Sequence, residues 1–166
     1  MISVLIPCDN DDIDPLTDTL AMLVGGVVFG IISEVVLWSD NENQLLKKIA
    51  NDTGCRYVNK TNFHKVLDST KGKWVLVLKP GTRLLDQWRE IIGRHIESNT
   101  QPAKFSILSA NKLSFIKKLF TRYTHLDAGI LALKEHLLNI AAQHQHLDAS
   151  IKKLTPITLP VQILLP

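Results

Sequence analysis

Polar side chains that could bind a ligand follow three largely apolar runs, at residues 2–6, 34–38 and 74–78. The candidate binding residues at the ends of these runs are Pro7, Asp9, Asn10, Ser39, Asp40, Lys79 and Gly81. Carboxylates and amides exchange hydrogen bonds with hydroxyl groups, and a lysine ammonium is a point charge that suits phosphate. Proline and glycine contribute through backbone shape and close approach. If the runs are neighbouring strands, these side chains meet at one edge of a sheet, where a polar ligand could bind.

A second chemical pattern lies at residues 144–148, where His144, His146 and Asp148 alternate with other residues. On a β-strand these three side chains would share one face and could ligate a metal ion. The surrounding sequence instead indicates a helix end or a loop, where alternate residues converge poorly. We therefore predict no metal site at this segment, and the simplest interpretation of Asp148 is an exposed helical residue.

The composition argues against several classes of function. The net charge is +3 and the basic residues are scattered, so we expect no nucleic-acid partner. Two cysteines cannot form a disulfide framework, which favours a reduced, cytoplasmic protein. The N-terminus shows no signal-peptide pattern, and the uncharged run over residues 19–33 is shorter than the roughly 18 residues of a membrane span. We therefore expect no transmembrane segment.

Strand-like and helix-like segments alternate along the chain. Runs rich in β-branched residues predict strands, and apolar residues at helical spacing predict helices. The predicted strands cover residues 2–6, 34–38, 56–58, 74–78 and 105–108. The first predicted helix begins near Asp14, and further helices are predicted over residues 45–50, 63–67, 84–96, 113–123 and 134–142. In the first helix, the residues expected to face a sheet are Leu16, Leu20, Leu23 and Val24.

This alternation predicts an α/β fold with a Rossmann-like, mainly parallel sheet flanked by helices. The run at residues 74–78 is apolar throughout, which is typical of a strand buried on both faces. No linker divides the chain, so we expect one domain over residues 1–166. The apolar tail at residues 157–165 is predicted to be an edge strand or an extension packed on its own sheet, with self-association into a homo-oligomer as the alternative.

The order of three motifs resembles family 2 glycosyltransferases. Residues 3–11, S-V-L-I-P-C-D-N-D, are similar to the family's first strand, which ends S-V-I-I-P-x-x-N-E. Residues 34–40, E-V-V-L-W-S-D, resemble its second strand, which normally runs into D-G-S-T-D. Residues 73–84, K-W-V-L-V-L-K-P-G-T-R-L, resemble its G-D-W-L-L-F-L-H-A-D-T-R-L stretch, and Trp88 with residues 94–97 fits the following helix. The resemblance covers roughly the first 100 residues.

The resemblance implies a GT-A fold that binds a nucleotide-diphosphate sugar at the carboxyl ends of its strands, as open α/β sheets generally do. In the family, an acid after the second strand holds the base, and an acid after the fourth coordinates a divalent cation, Mn²⁺ or Mg²⁺. Here Ser39 matches the first acid, with Asp40 beside it. Lys79, Pro80 and Gly81 match the metal motif and include no carboxylate. We therefore predict no metal ligand, and a cation only if the chain is an active enzyme.

The same resemblance suggests a role for each candidate residue. Asp40 would accept hydrogen bonds from the base or ribose, and Asp9 and Asn10 would line the ribose. Lys79 would face the phosphates in place of a metal, the alternative being a solvent-facing lysine at a strand end. Asp148 occupies the approximate place of the family's acid pair, one member of which is the general base.

Two functions remain open from the sequence. The first is a glycosyltransferase that moves a sugar from a nucleotide-diphosphate sugar to an acceptor. The second is a non-catalytic GT-A-fold protein that binds a nucleotide, a sugar or a protein partner, since the metal-binding acids are missing. A nucleotidyltransferase of similar architecture ranks last, because the glycine- and basic-rich loop expected after its first strand is missing.

Overall fold

The computed structural model describes residues 1–9, 12–59, 61–85, 87–108, 123–144 and 146–165. Within them, eight strands form one mixed sheet in the order β3-β2-β1-β4-β7-β6-β8-β5. The strands are β1 Ile2–Pro7, β2 Ile32–Ser39, β3 Arg56–Asn59, β4 Trp74–Val77, β5 Arg83–Leu84, β6 Ala103–Leu108, β7 Ile130–Leu133 and β8 Ile157–Leu164. Four of the seven pairings are parallel, which confirms the predicted α/β class with a mainly parallel sheet.

The parallel half of the sheet is built around β1. Val4 pairs with Val35 of β2 on one side and with Leu76 of β4 on the other. These central strands are apolar on both faces because helices cover both sides of the sheet. Since β1, β2, β3 and β4 run parallel, their carboxyl ends meet at one edge, which we call the carboxyl edge; their starts form the amino edge.

Six helices lie in the described ranges and form a layer on each face of the sheet. They are α1 Ile13–Val28, α2 Gln44–Thr53, α3 Phe63–Asp68, α4 Trp88–Ser98, α5 Lys134–Ala141 and α6 Leu147–Ile151. Alternate residues of β1 join different cores: Val4 and Ile6 pack with α1, α2 and α4, whereas Leu5 packs with α3, α5 and α6. The two-residue period of the strand therefore divides its side chains between two helical layers.

Two sequence predictions about helices are corrected by the structure. The helix expected from residue 84 begins at Trp88, because Arg83 and Leu84 pair with Leu164 and Ile163 of the last strand. Val24 was expected to face the sheet, but it is 59% exposed, and Gly26 is buried against Trp88 and Ile32. The predicted helix at residues 113–123 falls almost entirely on residues 109–122, outside the described part of the chain.

The tail packs into its own sheet and is not an edge strand. β8 lies between β6 and β5 and pairs with both. Its register against β6 shifts between Phe105 and Ser106, so Pro160 falls in a bulge, where its missing N–H costs no ladder hydrogen bond. No helix within the described ranges has the length and apolar character that crossing a bilayer requires.

Candidate functional site

A pocket of about 680 Å³ opens at the carboxyl edge, where β1, β2 and β4 end. The chain proceeds from β1 to β2 and β3 on one side of β1, and then crosses to β4 on its other side. The pocket therefore lies at the topological switch point of the sheet, where open α/β sheets usually bind ligands. Its volume is in the range of small-molecule sites.

The structure brings most of the predicted site residues to this one pocket. The predicted residues that line it are Pro7, Asp9, Ser39, Asp40, Lys79 and Asp148. Gly81 is buried and is not among the lining residues, and Asn10 lies outside the described residues. Residues from four separate segments of the chain thus converge at one cavity.

The end of β1 forms one wall of the pocket. The Cys8 amide donates to the carbonyl of Trp38 (2.7 Å), and the Asp9 amide donates to Oδ2 of Asp12 (2.7 Å), which turns the chain toward α1. Burial, together with the negative charges of Asp12 and Asp9, raises the pKa of the Cys8 thiol. Cys8 therefore stays protonated and acts as a small apolar wall residue.

The end of β2 supplies a carboxylate through Asp40. The Ser39 hydroxyl donates to the Asn41 carbonyl (2.5 Å) and lies 2.9 Å from the Tyr57 hydroxyl, so it is engaged within its own loop. Asp40 is exposed and lines the pocket. Of these two neighbours, Asp40 is therefore the residue with a free acceptor for a ligand.

Aromatic residues that the sequence analysis did not assign to the site close the pocket between β2 and α3. Trp38 packs on Phe63 with ring centroids 6.0 Å apart, and its Nε1–H donates to the Thr61 carbonyl (3.1 Å). Asn62 caps α3 by accepting from the Lys65 amide (3.0 Å). Both rings are nearly fully buried, so they shape the pocket wall more than they offer a stacking face.

The end of β4 carries Lys79 on a tight turn. Pro80 and Gly81 occupy its centre, Gly81 has φ 80°, and the Thr82 amide donates to the Lys79 carbonyl (3.2 Å), as in a type II turn. The Lys79 ammonium forms an ion pair with Oδ1 of Asp127 at 2.5 Å. The lysine at the pocket is therefore already paired with an acid 48 positions later in the chain.

Asp127 is itself held in place by Thr124. The Thr124 amide and hydroxyl donate to Oδ2 of Asp127 at 2.6 and 2.8 Å. Burial would raise the pKa of Asp127, but the hydrogen bonds from Lys79 and Thr124 outweigh it and hold that pKa below its usual range. The sequence analysis assigned no role to Asp127, because nothing in the local sequence links it to a lysine 48 positions earlier.

Asp148 reaches the pocket from the first turn of α6 and is exposed. His146 also lines the pocket, whereas His144 is not among the lining residues. The alternating trio at residues 144–148 therefore does not converge on one point. Asp148 is thus a carboxylate on a short helix that lines the same pocket as the ends of β1 and β2.

The residues at the pocket do not fit a divalent cation of the kind that the resemblance implies. Lys79 stands at the metal motif, and an ammonium has no lone pair to donate and repels a cation. The Asp127 carboxylate nearby is taken up by Lys79 and Thr124. Across the described ranges, His, Cys, Asp and Glu side chains form no group of three or more that could hold a metal ion.

Solved structures with a similar architecture include those of glucosyl-3-phosphoglycerate synthase from Mycobacterium tuberculosis. A complex with Mn²⁺, UDP and glucosyl-3-phosphoglycerate aligns with a TM-score of 0.58 and 16% identity, over 96% of this chain and 70% of that chain. The fold of this chain is GT-A-like. A complex with phosphoglyceric acid aligns with a TM-score of 0.59 and 15% identity, over 99% and 70% of the two chains.

A third structure of that enzyme, with Mn²⁺, UDP-glucose and phosphoglyceric acid, aligns with a TM-score of 0.58 and 13% identity, over 95% of this chain and 69% of that chain. No family model matches the sequence. No curated protein matches it either. Identities this low show the fold alone, so the chemistry of the pocket has to be argued from its own residues.

Proposed function

We propose that this chain is a member of the family 2 glycosyltransferases that binds a nucleotide-diphosphate sugar in the pocket at the carboxyl edge. The observation that carries the proposal is the convergence of residues 7–9, 39–40, 79–80 and 148 on one cavity at the switch point of a GT-A-like sheet. Structures with this fold hold UDP or UDP-glucose with Mn²⁺. A nucleotide is therefore the ligand class that agrees both with the position of the pocket and with the ligands of similar folds.

The ligand would lie along the ends of the three strands. Asp40 has a free carboxylate for the base or ribose hydroxyls, and Asp9 lies beside it at the end of β1. Pro7, the last residue of β1, would contribute through backbone shape, because its ring fixes φ. Lys79, at the end of β4, carries the permanent positive charge among the described residues that line the pocket, and it would face the diphosphate.

Transfer of the sugar would use Asp148 as the general base. Its carboxylate would take the proton of an acceptor hydroxyl as that oxygen bonds to the anomeric carbon. The bond from the anomeric carbon to the diphosphate oxygen breaks, and the nucleoside diphosphate leaves with the electron pair. Lys79 would offset part of the negative charge that builds up on the leaving group.

A second function is favoured by one specific observation, the lysine at the metal motif with its charge already paired to Asp127. In this function the pocket binds a nucleotide, a sugar or a protein partner without transferring anything. For either function we propose a cytoplasmic location, because Cys8 and Cys55 are both free thiols.

Calorimetric titration with UDP, GDP and their common sugar conjugates, with and without Mn²⁺, tests the proposal. We expect Asp40→Ala and Lys79→Ala each to weaken nucleotide binding by about tenfold, the size of a lost charged hydrogen bond. Asp52→Ala, an exposed acid in the last turn of α2, is the matched control and should bind as the wild type does. If neither pocket variant changes the affinity, the site is wrongly assigned.

An activity assay then separates the two functions. Release of free nucleotide from a bound sugar conjugate in the presence of sugar acceptors indicates transfer. In that case we expect Asp148→Asn to abolish turnover while leaving the nucleotide affinity within about twofold, since the base acts on the acceptor. Tight binding with no turnover for any acceptor supports the non-catalytic function.

A further inference from the structure

The pocket contains a single permanent cation among the described residues that line it, and that cation is Lys79. The carboxylates around it are Asp9, Asp12, Asp40 and Asp148. Among the described lining residues, a diphosphate entering this pocket therefore meets several carboxylates and one ammonium. The way in which Lys79 is held decides how an anionic ligand can bind at all.

We infer that the Lys79–Asp127 ion pair takes the place of the divalent cation, so that a nucleotide binds in this pocket without metal and through the Lys79 ammonium. The inference rests on the proposed nucleotide-binding function and names the group that binds the phosphates. Asp127 is a positioning residue: it touches Lys79 and does not line the pocket.

Geometry supports a preorganised ammonium. The type II turn fixes the backbone of Lys79, and Asp127 fixes the end of its side chain, while Thr124 holds Asp127 with two hydrogen bonds. An ammonium has three N–H donors, and Asp127 uses one of them. The Lys79 side chain remains 41% exposed at the pocket, so further donors are available to a phosphate oxygen.

The negative charge of Asp127 also reduces the attraction of Lys79 for an anionic ligand. The Asp127 carboxylate, 2.5 Å from the ammonium, offsets much of its field before any ligand arrives. Replacing Asp127 by asparagine removes that negative charge. With its amide oxygen in the place of Oδ1 it still accepts from Lys79, and its NH2 group, in the place of Oδ2, can donate to the Thr124 hydroxyl, while the Thr124 amide loses its acceptor. The position of the ammonium is then retained while its attraction for phosphate rises. Asp127→Asn should therefore bind an anionic ligand more tightly than the wild type does.

The experiment is calorimetric titration of the full chain with UDP, in excess EDTA and separately in Mn²⁺. We expect the wild-type affinity to agree within about twofold between the two conditions. Lys79→Met should weaken UDP binding by about tenfold or more in both, and Asp127→Asn should tighten it roughly threefold to tenfold. Lys73→Met, an exposed lysine at the opposite, amino edge, is the matched control and should bind as the wild type does.

The outcomes separate this inference from the proposed function. Binding that requires Mn²⁺, or that Lys79→Met leaves unchanged while Asp40→Ala weakens it, overturns the inference and leaves the nucleotide site standing. Asp127→Asn gives an independent readout if Lys79→Met unfolds: unchanged or weaker UDP binding contradicts the inference. Absence of UDP and GDP binding under every condition removes the proposed function, and the inference with it.

Discussion

The two edges of the parallel sheet use carboxylates in opposite ways. At the amino edge, Glu34 accepts from the Ser3 hydroxyl (2.7 Å), the Lys71 amide (2.5 Å) and Nε of Arg56 (3.1 Å). At the carboxyl edge, the carboxylates of Asp40 and Asp148 receive no hydrogen bond from any described residue and line an open pocket. One edge satisfies its acid completely, while the other leaves its acids available to a ligand.

Hydrogen-bond partners and exposure alone therefore distinguish an acid that stabilises the fold from an acid that can bind a ligand. A buried polar group without a partner costs stability, so Glu34 and its donors are held together. An exposed acid at a pocket costs little, because water satisfies it until a ligand arrives. Lys79 stands between these two cases, since it is paired with Asp127 and yet lines the pocket.

The largest effect on stability is expected at Gly72 of the amino edge. A Cβ there would overlap the backbone nitrogen of Ser3 and lie 2.8 Å from the carbonyl carbon of Ile2 and the carbonyl oxygen of Trp74. Because these are backbone atoms, they cannot move aside cheaply. Gly72→Ala should lower the free energy of unfolding by about 3 to 5 kcal/mol in urea titrations.

Gly93→Ala is the matched control for this change. Gly93 lies within α4, and a Cβ there has no atom within 4 Å. Alanine is the better helix former, so this variant should gain about 0.5 to 1 kcal/mol. Equal effects of the two substitutions would contradict the close approach at Gly72.

Glu34→Ala tests whether the carboxylate at the amino edge has a structural role. It leaves the buried Ser3 hydroxyl, the Lys71 amide and the Arg56 guanidinium without their shared acceptor, and should cost about 2 to 4 kcal/mol. Nucleotide affinity should not change, because the residue is at the opposite edge from the pocket. Asp40→Ala is the mirror variant, with stability within about 0.5 kcal/mol of wild type and weakened nucleotide binding. A destabilised Asp40→Ala protein would break the proposed division between the edges.

The smallest effect is the dependence of stability on acid. Burial would raise the pKa of Glu34, but the Lys71 amide, the Ser3 hydroxyl and Arg56 outweigh it and hold that pKa below its usual range. The pKa of Asp127 is likewise lowered. As the pH falls past the ordinary carboxyl pKa values, near 4, both groups bind fewer protons in the folded state than in the unfolded state. Their contribution to the free energy of unfolding is therefore complete at neutral pH, and it is lost as the pH falls toward the lowered pKa values of the folded state.

Unfolding free energies measured between about pH 6 and pH 3 check this sign. We expect Glu34→Gln to flatten the acid side of the wild-type profile, and Asp127→Asn to flatten it less. A steeper loss of stability in Glu34→Gln than in the wild type would show that the Glu34 carboxylate is not the stabilising form.

Much of the parallel half could be read from local pattern. The runs at residues 2–6, 34–38 and 56–58 lie in strands, and the run at residues 74–78 lies in one that ends a residue earlier, at Val77. Each run is a short apolar or β-branched segment between turn residues. Gly54 ends α2 in the left-handed conformation expected of a helix C-terminus. Strand-end positions then led to the pocket residues, since parallel strands end at one edge.

The half of the sheet that contains β5, β6, β7 and β8 was harder to predict from the sequence. β5 has only two residues, and its partner β8 lies about 80 positions later in the chain, so no local period marks their pairing. Asp127 was missed as the partner of Lys79 for the same reason. Asp12 and Phe63 line the pocket because α1 and α3 begin beside the strand ends, and Trp38 lines it from the end of β2.

By itself, the sequence determined elements whose causes are local, such as the buried strands and the glycine, Gly54, that ends α2. The tertiary structure alone decided that β8 is an interior strand, that Gly81 lies away from the pocket, and that the Lys79 charge is shared with Asp127. Periodicity and turn chemistry act over a few residues, whereas an ion pair or a pocket wall depends on which distant segments the order of strands brings into contact.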